Sequence, residues 1–239
     1  MLTYLSVFLA SGVAGLVQGV TGFGSGICMM MLFPTILPVL NASALSGTVS
    51  MGCNISLTWA FRKHIRKDLL ILPAIVFVIA STAVLQYADR IDATLILKIF
   101  GGFLLALSLY FLFFSKHIHI KASVPAAVIC STLSGLAGGL FGIGGPPMVL
   151  YYLAASDEKE EYLGTIQAFF LLTGIFTLAM RLYKGYFTLE MVPMFLFGLL
   201  GILLGSALGK RIVDRINTDT LRLIVYIFLG LTGILNLFK

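Results

Sequence analysis

No Asp, Glu, Lys or Arg occurs before Arg62. A water-soluble domain carries about 25% charged residues distributed along its length, so a stretch from Met1 to Phe61 without any cannot cover itself with a hydrated surface. The rest of the chain keeps this character: across 239 residues 59% are hydrophobic and 11% charged. A soluble single-domain enzyme is excluded on these grounds. Apolar segments run over about 2–20, 27–40, 43–61, 69–88, 94–114, 122–141, 146–155, 162–180, 188–209 and 218–238. A spanning helix takes roughly 20 apolar residues, so these segments use up nearly the whole chain. The sequence predicts an all-α polytopic membrane protein whose main surroundings are the lipid bilayer. Met1 to Val20 has no basic flank and reads as membrane domain rather than as a secretory signal peptide.

Two of the segments, 27–40 and 146–155, are too short to cross alone, and each follows a cluster of glycines. Short, Gly/Pro-interrupted segments at corresponding places in two halves point to an internal repeat with broken helices near a binding site. The chain matches itself accordingly. Gly15, Gly19, Gly22 and Gly24 fall on Gly135, Gly139, Gly142 and Gly144, Gly47-Thr48 falls on Gly164-Thr165, and Pro73 falls on Pro193. Repeats over 1–118 and 119–239 follow, joined in one membrane domain. Each holds about five apolar segments. Whether all five cross, or the short segment and its predecessor form a re-entrant hairpin, the number of crossings is odd and the second repeat is inverted.

Net charge is +6. The basic residues sit in short loops between apolar segments, which reports orientation in the membrane rather than nucleic-acid binding. The loop Arg62 to Lys67, the connector Lys116 to Lys121, Lys159, Lys210 to Arg215 and Arg222 fall on one side, expected to be cytoplasmic. Arg90, Lys98, Arg181, Lys184 and Lys239 fall on the other, with both termini. His64, His117 and His119 lie in the basic loops, Lys98 and Arg222 are expected to snorkel, and Trp59, Tyr151, Tyr152, Tyr183 and Tyr186 read as an aromatic belt. Cys28, Cys53 and Cys130 have neither paired spacing nor a nearby His and read as small buried hydrophobes, so no metal and no cofactor is expected.

The glycine clusters are the candidate site. They read Gln18-Gly19-Val20-Thr21-Gly22-Phe23-Gly24-Ser25-Gly26 and Gly138-Gly139-Leu140-Phe141-Gly142-Ile143-Gly144-Gly145-Pro146-Pro147. Glycine lets the chain leave helical geometry and approach a ligand, and Pro suits the first turn of a new helix. Each cluster therefore predicts a helix end, a loop of exposed amides and a helix N-terminus, the arrangement that holds anions. Gly15-x-x-x-Gly19 and Gly135-x-x-x-Gly139 fit close helix packing instead. Candidate binding residues are Gln18, Thr21, Gly22, Gly24, Ser25, Gly26, Asn54, Gly142, Gly144, Gly145, Pro146 and Gln167. Thr48, Ser50 and Thr165 join Asn54 and Gln167 as polar groups within apolar segments; such groups serve either as interhelical hydrogen bonds worth about 0.6 kcal/mol or as neutral donors to an anion. Every Asp and Glu maps to a loop or segment end, so carboxylate-based ion coupling is not expected. An anion would be held by neutral donors, without a buried cation. No catalytic constellation can be assembled, and the chain does not read as an enzyme.

The clusters Gly22-Phe23-Gly24-Ser25-Gly26 and Gly142-Ile143-Gly144-Gly145-Pro146, with the segment count and the basic loop of the first half, resemble the sulfite exporter TauE/SafE family, the toluene sulfonate uptake permeases. Ser25 stands where the family tends to a glycine, and Pro146 follows two. The resemblance implies a transporter of a small sulfur-containing anion such as sulfite, sulfoacetate or another sulfonate in a prokaryotic cytoplasmic membrane. An inside-negative potential favours anion export by about 2.3 kcal/mol per charge per 100 mV. An anion channel, a carrier of a different small anion and a membrane anchor subunit are the alternatives, and a homodimer stays open.

Overall fold

The computed structural model describes residues 2–114, 122–212 and 218–238. Among them the secondary structure is helical, without strands. Ten α-helices follow one another: α1 (Leu2–Thr21), α2 (Ser25–Leu32), α3 (Val39–Ala60), α4 (Lys67–Tyr87), α5 (Ala93–Leu109), α6 (Val124–Phe141), α7 (Gly145–Ala155), α8 (Lys159–Tyr183), α9 (Val192–Ile212) and α10 (Thr218–Leu237). Among the described residues six helices are long and apolar enough to cross a membrane. This is a multi-pass membrane protein.

The breaks fall where the glycines are. α1 stops at Thr21 and α2 starts at Ser25, with Gly22 at φ 82° and Gly24 at φ 99° between them. α6 stops at Phe141, and Gly142 at φ 69° turns the chain into α7. These are left-handed conformations, which glycine adopts without the Cβ penalty. After each break the chain folds back. The Ser134 hydroxyl donates to the Gly144 carbonyl, a contact that a continuous helix, rising 1.5 Å per residue, would place far out of reach. α2 ends earlier than the apolar run predicts. Leu32 leads into a 3-10 turn over Phe33–Thr35, and Pro38 stands at the N-cap of α3, so the segment expected at 27–40 is divided by two prolines.

Small residues seat the long helices. A Cβ on Gly15 would run into the Ile202 carbonyl, and one on Gly19 would lie 2.7 Å from the Ser206 carbonyl oxygen; α1 and α9 therefore run parallel along a close seam. α6 meets α4 in the same way: a Cβ on Gly135 would lie 2.7 Å from the Phe77 carbonyl oxygen and one on Gly139 3.1 Å from that of Ser81. α3 and α8 run antiparallel: Gly47 faces Arg181, Met51 faces Gly174, and Phe61 faces Gly164. α5 and α10 are also antiparallel, with Gly101 on Gly233 and the Ser108 hydroxyl donating to the Tyr226 carbonyl at 2.6 Å.

The short helices lie inside the protein. Ile27, Met29, Met30 and Met31 of α2 and Pro146, Met148, Val149, Tyr151 and Tyr152 of α7 are buried. Protein atoms, rather than lipid, surround the interrupted backbone, as broken helices at membrane depth require. Tyr151 and Tyr152 are consequently core residues and not part of an interfacial belt. The Tyr152 hydroxyl donates to the Leu69 carbonyl at 3.3 Å, and its ring lies edge-on to Phe169. Tyr186 is buried as well, whereas Trp59 and Tyr183 are exposed as expected. The connector Lys116 to Lys121 with His117 and His119, the boundary at 118/119, residues 213–217 and Lys239 lie outside the described residues, as do the side chains of Thr21, Lys210 and Arg222.

Candidate functional site

The two breaks open on one cavity of about 100 Å³. A single water needs roughly 10–15 Å³ and drug-sized ligands roughly 300–1,000 Å³. The space fits an ion of a few heavy atoms. Gln18 of α1, the α1–α2 turn and start of α2 (Phe23, Gly24, Ser25, Gly26), and Gly47, Ser50 and Asn54 of α3 form one side. The α6–α7 turn (Gly142, Ile143, Gly144, Gly145, Pro146), Phe77 of α4, and Phe170, Thr173, Thr177 and Arg181 of α8 form the other.

Neutral polar groups hold the first side together. Gln18 Nε2 donates to Asn54 Oδ1 at 3.0 Å, while Gln18 Oε1 is buried and has no partner among the described residues. The Ser25 and Ser50 hydroxyls are 3.0 Å apart and hydrogen bonded. The Ser46 hydroxyl donates to the Gly26 carbonyl at 3.3 Å, tying α2 to α3. Asn54 and Ser50, four residues apart on one helix face, thus reach the two ends of the first break. The amides of Ser25, Gly26 and Ile27 occupy the first turn of α2, where no intrahelical acceptor is available.

The second side is built differently. Two of the first three residues of α7 are prolines, so the cavity-lining end of that helix has fewer N–H groups to offer. A cation stands there instead. Arg181, 2% exposed, lies in the last turn of α8 and lines the cavity. Its Nη1 donates to the Ser43 carbonyl at 3.1 Å, and its Nη2 to the Gly138 and Gly139 carbonyls at 2.9 and 3.2 Å. The latter two belong to the C-terminal turn of α6, whose dipole presents partial negative charge. Nε is buried with no partner among the described residues. Gly47 makes room for the guanidinium: a Cβ there would lie 2.7 Å from Nη1.

Of the predicted residues, Gln18, Gly24, Ser25, Gly26, Asn54, Gly142, Gly144, Gly145 and Pro146 line the cavity. Gly22 and Gln167 are set back from it; Gln167 Nε2 donates to the Gly22 carbonyl at 2.6 Å and braces the first break. Thr165 accepts from the Arg66 amide at 3.0 Å, and the Thr48 hydroxyl donates to the Ala44 carbonyl of its own helix at 2.8 Å; neither lines the cavity. The expected absence of a buried cation is overturned by Arg181. Thr173 and Thr177, each bonded to the carbonyl four residues earlier, carry no sequence signal that separates them from other threonines in apolar helices. Among the described residues no Asp or Glu lines the cavity.

The model of the family described as Sulfite exporter TauE/SafE matches residues 7–235. A curated protein of Methanocaldococcus jannaschii, named as a probable membrane transporter protein, is 26% identical over 160 residues, covering 62% of this chain and 59% of its own length. The aligned part thus spans about three fifths of that relative. No solved structure matches the chain.

Proposed function

Since this chain belongs to the sulfite exporter TauE/SafE family, a family of membrane transporters, we propose that it is a secondary transporter or facilitator that moves a small sulfur-containing anion outward across the cytoplasmic membrane. One observation carries the reading: both glycine breaks open on a single small cavity whose polar lining is amides, hydroxyls, carboxamides and one guanidinium, with no carboxylate among the described residues. Donors outnumber full negative charges there, and that chemistry favours an oxyanion over a metal cation. Phe23, Phe77 and Phe170 add apolar wall that a strongly hydrated ion does not need and a methyl or methylene group of a sulfonate can use.

The two repeats act as one inverted pair in this proposal. An in-plane two-fold axis exchanging α1 with α6 and α4 with α9 turns the parallel α1/α9 seam into the parallel α6/α4 seam. It also makes the mates α3/α8 and α5/α10 antiparallel. The packing of all four pairs supports this relation. The basic loop Arg62 to Lys67 then faces the cytoplasm. Export needs no coupling carboxylate, because an inside-negative potential of 100 mV drives a monovalent anion outward by about 2.3 kcal/mol.

The test is flux through purified protein in liposomes, using labelled sulfite, methanesulfonate, sulfate and chloride. Saturable movement of a sulfur anion, accelerated outward by an inside-negative potential, is expected. Flux rising without saturation would make the protein a channel, and movement of chloride without any sulfur anion would overturn the assignment.

A further inference from the structure

Among the described residues the cavity wall carries one full charge and no counter-charge. The three acceptors of Arg181 are backbone carbonyls of Ser43, Gly138 and Gly139, all neutral. No Asp or Glu lines the cavity among the described residues. The described ion pairs of Arg66, with Asp68 and Glu161, are elsewhere, on side chains open to solvent. Helix dipoles do not supply the missing charge. The C-termini of α1 and α6 bring about −0.5 each to the breaks and the N-termini of α2 and α7 about +0.5 each, so these four nearly cancel; the C-terminus of α8, in whose last turn Arg181 lies, adds only a further partial charge of about −0.5, and a net positive charge remains. Isolating such a charge from both water and a counter-ion is strongly unfavourable. Arg181 is also not arranged to snorkel away. Its fork is held by carbonyls from two other helices, α3 and α6, and Gly47 leaves room for Nη1 where any side chain would displace it.

We propose that Arg181 is the counter-ion of the transported species, so that the site selects solutes carrying one net negative charge. The proposal rests on the anion-transport reading above and deepens it. A monoanion such as hydrogensulfite or an alkyl sulfonate neutralises the cavity, whereas sulfate or fully ionised sulfite leaves an excess negative charge in a poorly hydrated space. The division of labour between the halves follows: amides and hydroxyls at Ser25 and Gly26 orient the oxygens, and Arg181 sets the charge. Exchange of one monoanion for another is then electroneutral.

Liposomes containing the full chain test this with two probes of similar size, labelled methanesulfonate with one charge and labelled sulfate with two. In the wild type, methanesulfonate is expected to move at least about tenfold faster than sulfate. Arg181→Gln should raise the KM for methanesulfonate by about ten- to a hundredfold, the range that loss of a charge-assisted contact gives, and should erase the preference. Arg181→Lys, which keeps the charge but not the fork, should keep the preference with weaker binding. The wild-type comparison stands even if Arg181→Gln fails to fold. Equal flux of the two probes in the wild type, or an Arg181→Gln protein with unchanged KM and preference, overturns the proposal while leaving anion transport intact. If the wild type moves neither probe nor sulfite, the transport reading itself fails, and the role of Arg181 with it.

Discussion

Gly142 shows how much one position can carry. Its φ of 69° is left-handed, and a Cβ there would sit 2.9 Å from the Ser43 carbonyl oxygen, the same carbonyl that receives Arg181. Gly142→Ala should cost about 1–2 kcal/mol from the backbone alone, read as a lower thermal midpoint of the purified protein in detergent; an unchanged midpoint would show that the turn is not strained by a side chain. Gly47→Ala acts through a different contact. Its methyl would press on Arg181 Nη1, a movable group, so anion affinity should fall more than stability, a split that paired flux and unfolding measurements detect. At this scale the sequence shows Gln18, Ser25 and Asn54 clearly, since a polar side chain within an apolar run is costly to bury unless it is hydrogen bonded to a partner or a ligand. Arg181 does not show itself. It follows the apolar run that ends near residue 180, where a cation ordinarily reaches for water, and only the arrival of Ser43 and the α6 C-terminus from remote parts of the chain makes it interior.

Helices here pack through what is missing from their surfaces. On the α1/α9 seam, a Cβ on Gly205 would overlap the Gly12 carbonyl, whereas Gly102 of α5 faces nothing within 4 Å. Gly205→Leu is therefore expected to prevent folding, lost as a monodisperse peak on size-exclusion chromatography, and Gly102→Leu to leave both the peak and the thermal midpoint within a few degrees of the wild type. Equal behaviour of the two would mean that close backbone approach does not hold this bundle together. The sequence indicates the existence and order of these elements, because apolar length and glycine spacing are local properties. It misplaces the end of α2, since Leu37, Val39 and Leu40 continue the apolar run across a turn that Pro34 and Pro38 create. The fold-back of α7 on α6 is legible there only as one of two alternatives, because it depends on the non-local contact between Ser134 and Gly144.

The molecule as a whole presents two glycine breaks to one cavity, which antiparallel α3 and α8 also line. Inversion of the halves predicts that single cysteines placed at Arg62 and Lys184, in a background lacking the three native cysteines, react with membrane-impermeant maleimide from opposite sides. Labelling of both from one side would rule the inversion out. In the basic loop, the hydrogen bond and charge of Asp68 hold the Arg66 guanidinium above its ordinary value. The central claim, that the cavity between the breaks is the anion site, meets its most direct test in the flux of labelled methanesulfonate into liposomes containing wild-type, Ser25→Leu or Gly102→Leu protein at matched, verified incorporation. Ser25 is buried in the cavity wall, whereas Gly102 does not line the cavity. Saturable flux in the wild type, retained in Gly102→Leu and abolished in Ser25→Leu, is the predicted result; equal flux through all three proteins would contradict it.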